Sequence, residues 1–158
     1  MDPKRELLRH ALATLAYRGG KAVRGVPDGF ADFDAGHGVR PPGQLLAHLG
    51  DLLDWALSLA KGAQAWNPVA PAGWENDAAR FHEALKQLDA FLVSDAPLGA
   101  PAEQIFQGPI ADSLTHVGQI VMLRRLAGGV MRSENYARAD IVPGRVGAEQ
   151  TTPKREFD

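Results

Sequence analysis

Leucine and other apolar residues recur at steps of three and four along this chain, and glycine or proline closes each run; that punctuation leaves room for packed helices and little else. The first run holds Leu8, Leu12 and Leu15 behind Asp2 and Pro3, a capping residue followed by one suited to a first turn. It is expected to fade around "YRGGKAVRG". The next stretch, "GVPDGFADFDAGHGVRPPG" (25–43), is too rich in Gly, Pro and Asp for a regular element, with Phe30 and Phe33 as its anchors. A second helix, "GQLLAHLGDLLDWALSLAKG", aligns Leu45, Leu49, Leu52, Ala56 and Leu59 on one stripe. Beyond "AQAWNPVAPAG", a third helix carries Phe81, Leu85, Leu88 and Leu92 and stops before Pro97. The fourth begins near Pro101, is interrupted at Gly108 and Pro109, and resumes to Gly128, because an internal proline removes a hydrogen bond and kinks the axis. No segment alternates as a strand does, and no repeat is present, so the fold class is all-α.

With 158 residues the chain is one ordinary domain, read as residues 1–158 with a helical core at about 3–129 and a short irregular C-terminal extension at 130–158, whose last residues, "TTPKREFD", read as frayed. A net charge of -2 supplies no basic field for nucleic acid. Cysteine is absent, which excludes disulfides, thiolate nucleophiles and cysteine zinc sites and suits a reducing cytoplasm. No apolar run approaches the ~20 residues of a membrane span, and no signal peptide is recognisable, so a cytoplasmic protein is expected.

The fourth helix raises the functional question. In "ADSLTHVGQIVMLRRL", Asp112, His116, Gln119 and Leu123 fall within roughly 60° of one another, so one stripe is polar at one end and apolar at the other. A carboxylate on a core-facing stripe needs a cation, a metal or a dense hydrogen-bond network. Asp112 and His116, one turn apart, place two ligand types ~6 Å apart at Cβ, which suits one ion. A third ligand should come from a neighbouring helix, and His48, beside the leucine stripe of the second helix, leans inward. The same residues also fit a plainer account, with His48 a core-edge histidine bonded to a carbonyl and Asp112 a first-turn residue favoured by the helix dipole. His10, His37 and His82 read as surface or loop residues, Trp55 as core, and Arg124 with Arg125 as a solvated pair complementing the end of its own helix.

Two segments carry a resemblance. "LLAHLGDLLDW" and "ADSLTHVGQI", with its His-x-Gly-Gln ending, resemble the two metal motifs of the DinB/YfiT-like superfamily. The resemblance implies a four-helix bundle of up-down-down-up order, with the joint at 61–73 as a crossover between parallel helices and a divalent ion held by three side chains. His48, His116 and Gln119 match the motif positions, and Asp112 stands where a second histidine is usual. The implied metal site is therefore His48, Asp112 and His116, a two-histidine, one-carboxylate set suited to zinc or nickel and also to manganese or iron.

Two functions from different classes follow. In the first, the chain is a metal-dependent enzyme, a hydrolase or thiol S-transferase acting on a small molecule, with Gln119, Asp51 and Thr115 orienting the ligands and the catalytic base unidentified among Glu75, Glu83, Glu134 and Tyr136. In the second it is a non-catalytic binding or structural bundle with an empty or structural metal site. Partners are expected to be a small-molecule substrate and a second copy of the chain, since Ile110, Leu114, Val117 and Val121 give the fourth helix another apolar stripe; neither nucleic acid nor membrane is expected.

Overall fold

A computed structural model describes residues 2–157. Helix α1 spans Pro3–Val23, with Asp2 accepting from the Lys4 amide at 3.0 Å and Pro3 in the first turn. It does not fade at Gly19 and Gly20, because both glycines are buried and Gly19 lies where α1 approaches Phe81 most closely. A single 3-10 turn, Phe30–Asp32, follows; Phe30 is buried and meets Trp74 edge-on at 5.2 Å, while Phe33 packs on the core rim.

Helices α2 (Pro42–Ala60) and α3 (Trp74–Val93) are separated by an exposed connection. Next come a short α4 (Ala102–Ile105), a π turn over Phe106–Ile110 and α5 (Ala111–Leu126). The π turn is the local answer to Pro109: widening the turn accommodates its ring and missing donor, and the Ala111 amide reaches back to the Phe106 carbonyl. The chain therefore passes from α4 to α5 without a break.

α1 packs against α3 and α5, and α2 packs against the same two helices. Leu12, Leu15, Leu46, Leu49, Leu53, Phe81, Leu85, Leu88, Ile110 and Ile120, all fully buried, fill the space between them. Contacts between helix ends record their directions. Lys4 reaches Glu103 at 2.5 Å, Arg5 reaches the Leu92 carbonyl at 3.1 Å, and the Gly99 amide reaches the Ala60 carbonyl at 2.8 Å. At the last of these the two connections touch backbone to backbone; a Cβ on Gly99 would lie 2.1 Å from the Gly62 nitrogen, so no side chain fits.

Arg124 is buried, not solvated. Its guanidinium donates to the carbonyls of Lys21, Ala22, Arg24, Gly25 and Val130 at 2.7–3.2 Å, closing the end of α1 instead of its own helix. Arg125 is exposed and holds Met131 and Ser133. The C-terminal segment is also more ordered than a frayed end. Ser133–Glu134 pairs antiparallel with Glu156–Phe157, the small ladder that periodicity did not reveal, and Lys21 bridges Glu134 at 2.9 Å and Glu156 at 2.8 Å. No helix among the described residues is long and apolar enough to cross a membrane.

Candidate metal centre

Helical spacing puts Asp112 and His116 one turn apart on α5, and the packing of α2 against α5 brings His48 to them. One ligand atom from each of the three lies within 4.8 Å of the others. His116 is buried, His48 half-buried and Asp112 exposed, so the cluster lies at the surface edge of the core. The imidazoles of His48 and His116 meet edge-on, with centroids 4.9 Å apart.

Gln119 sets the chemistry of His116. Its Oε1 accepts a 2.7 Å hydrogen bond from Nδ1, which places the ring proton there and leaves Nε2 with a lone pair. That nitrogen faces Asp112 Oδ1 at 3.5 Å. A lone pair and a carboxylate oxygen repel at this range, so the pair calls for a cation between them, either a proton on Nε2 or a metal ion. The donors fit the second. Around a tetrahedral ion with bonds of about 2.1 Å, ligand atoms lie roughly 3.4 Å apart. His116 and Asp112 have that spacing already, and the widest separation, at most 4.8 Å, would close by about 1.4 Å through side-chain rotation at half-exposed positions. His48 suits the role as well: burial, then the nearby charges of His116 and Arg40, lower its pKa against the opposing effect of Asp51 and Asp112, so it stands neutral with a lone pair to give.

The other residues expected to orient the ligands are occupied differently. Asp51, buried, accepts from Arg80 at 2.8 Å and from the Val69 amide at 3.0 Å. It therefore ties down the connection after α2, although it shares with His48 a cleft also lined by Arg40, Gln44 and Val69. Thr115 is exposed and gives its hydroxyl to the Ala111 carbonyl at 3.1 Å, the usual back-bond of a mid-helix threonine.

Of the four residues considered as a base, Glu134 is buried and receives Tyr17 at 2.7 Å and Lys21 at 2.9 Å, and Tyr136 stacks under Arg18 and against Tyr17. Both therefore belong to the α1 face. Glu83 lies beside Lys86 on α3, and Glu75 is exposed in the first turn of that helix. His10 and His37 are exposed, but His82 is not a surface residue: it is buried with Nδ1 3.4 Å from the Val146 carbonyl, because the C-terminal segment lies over it.

Periodicity missed the aromatic side of the site. Trp55 is half-buried and meets Trp66 edge-on at 6.0 Å, and Trp66 meets His48 at 5.7 Å. With Leu52, Gln64 and Asp112, these residues line an open cleft of about 300 Å³. The sequence signal available was one large aromatic side chain in a connection otherwise built of Lys, Ala, Pro, Gly, Asn, Gln and Val. A further cavity of about 390 Å³ is lined by Arg40, Leu45, Gln119 and Met122 among others.

Fold and site together define a class: a helical protein whose paired histidines and single carboxylate form a group that could hold a metal ion. In comparisons with known proteins, the chain matches no family model, no curated protein and no solved structure.

Proposed function

We infer that this chain is a DinB-like four-helix bundle that binds a divalent ion, zinc or nickel foremost and manganese or iron as further candidates, through His48, Asp112 and His116, and works on a small molecule in the cytoplasm as a hydrolase or thiol S-transferase. The observation that carries the reading is the convergence of three ligand atoms, from two helices, within 4.8 Å. The helix-end contacts support the up-down-down-up order: Lys4 with Glu103, Arg5 with Leu92 and Ala60 with Gly99 set α1 along α4–α5 and against α3, and α2 along α3.

A divalent ion in this group supplies Lewis acidity, polarising a substrate and easing deprotonation of a nucleophile. The protein's own share is positional. Gln119 fixes the orientation of His116, His48 and His116 would each offer a ring nitrogen, and Asp112 would contribute the one negative charge. Without cysteine the chain has no thiolate, so a thiol nucleophile would arrive with the substrate. The engagement of Glu134 and Tyr136 on the α1 face favours the second reading, a binding or structural bundle without a catalytic base.

Metal analysis of untagged protein purified without chelator tests the site. About one ion per chain is expected for wild type, with loss in His48→Ala and His116→Ala; equal content in all three removes the site. Activity in a screen of ester, amide and thiol-transfer substrates is expected to disappear with a chelator and return with a first-row divalent ion.

The reading includes a homodimer. Its support is the apolar surface left on α5, half-buried Leu114 and Val121 with exposed Met122 and Leu126, although Ile110 and Val117 are already buried within the chain. Light scattering at micromolar concentration should give twice the mass of the chain, and a monomer removes the dimer.

A further inference from the structure

Trp66 is 48% exposed, within a connection (61–73) that is exposed throughout, yet it is held firmly. On one side Ser58 Oγ accepts from the Ala65 amide at 3.1 Å while giving its own proton to the Trp55 carbonyl at 2.7 Å. On the other, buried Asp51 takes the Val69 amide at 3.0 Å and is itself anchored by Arg80. Two side chains of α2 thus stake the connection down on either side of the indole. The result is a corner: Trp66 stands at 86° to Trp55 and at 76° to His48.

The corner opens on the ligand cluster, since His48 and Asp112 line the same cavity as the two indoles. We propose that this cavity receives the body of the substrate, and that the substrate is a small molecule joining a single planar apolar group, such as a phenyl ring, to a lone-pair-donating or anionic head that reaches the ion. The proposal rests on the metal reading given above. A single ring suits the open cleft's volume of about 300 Å³, at the lower bound of ordinary small-molecule sites. The apolar body follows from the walls, Trp55, Trp66 and Leu52, which offer ring faces, ring edges and an aliphatic side chain. The head follows from charge: two neutral imidazoles and one carboxylate leave a divalent ion with a net positive charge, which selects an anion or lone-pair donor over a cation. In this arrangement Asp51 and Ser58 position the aromatic wall and touch neither ion nor substrate.

The test uses the full-length protein loaded with zinc or nickel, with metal content measured first on the same sample. Acetohydroxamate and benzohydroxamate share a chelating head and differ in the phenyl ring. Titration calorimetry should show benzohydroxamate bound at least ~10-fold more tightly, the gain expected for burying one ring. Trp66→Ala, at an exposed position, should keep its metal and its acetohydroxamate affinity while the preference for benzohydroxamate falls below about threefold. Equal affinities in the wild type, or an unchanged preference in a metal-loaded Trp66→Ala protein, overturn the aromatic pocket and leave the metal site standing. A wild-type protein that takes up no metal overturns both, and the metal measurement distinguishes that outcome from failure of the pocket alone.

Discussion

Gln119 is a solvent-edge residue with one decisive contact, the 2.7 Å bond that holds the proton on His116 Nδ1. Without an acceptor there, the imidazole is free to exchange tautomers and to rotate, and its Nε2 lone pair is no longer fixed towards Asp112. Gln119→Ala is therefore expected to weaken metal affinity by ~10 to 100-fold in a chelator competition, with Gln119→Glu, which keeps an acceptor, recovering most of it. Affinities within a factor of two across all three proteins would show that the contact is incidental. At this scale the shared face of residues 112, 116 and 119 was legible, because helical phase is a local property, but its burial was not: only His116 is buried, and Asp112 and Gln119 are exposed at the rim of the core. Trp66 was not legible. Its place depends on Ser58 and Asp51 reaching into an aperiodic connection, and no spacing rule encodes such bonds.

Elements were read well where their signals were local and poorly where the reason lay in another part of the chain. The Gly19-Gly20 pair reads as a helix breaker, but α1 continues because Gly19 is the contact point of three helices. A Cβ there would come within 2.7 Å of Phe81 Cζ and 3.5 Å of Val117 Cγ2. Alanine is the better helix former by about 1 kcal/mol, whereas overpacking against a fully buried ring costs roughly 1–3 kcal/mol. Gly19→Ala should thus lower Tm. Gly20→Ala is the control, since its new Cβ meets mainly the end of the Arg24 side chain at 3.0 Å, which can move, and Tm should hold or rise. If both substitutions raise Tm, Phe81 has room to shift and the close approach does not constrain the fold. Arg124 teaches the same lesson: on a helical wheel it is a solvated cation, and only the return of α1 shows which carbonyls it serves.

The largest departure from the sequence reading concerns the molecule as a whole, since residues 130–157 lie against α1 and α3 and cover His82, which reads as a surface residue from sequence alone. Lys21 is covered in the same way: burial opposes its charge, but the hydrogen bonds it donates to Glu156 and Glu134 outweigh that and raise its pKa. Tyr17 moves upward too, through burial and then its bond to Glu134. His82 carries a measurable consequence. Burial lowers its pKa below 6.5 despite the Val146 carbonyl, with Arg24, just past the end of α1, and Lys86 on α3 adding to the decrease. Between the lowered folded value and the ordinary unfolded one, the unfolded chain binds more protons, so stability is full above about pH 6.5 and falls as the pH drops through that window. Each unit of depression corresponds to about 1.4 kcal/mol. His82→Gln removes the titrating group while an amide can still donate to Val146. Acidification from pH 7.5 to 5 should lower Tm more in the wild type than in His82→Gln, with His48 and the carboxylates contributing alike to both. Parallel Tm profiles would mean that the C-terminal segment opens readily enough for His82 to meet water, and that the cover over α3 contributes little to its stability.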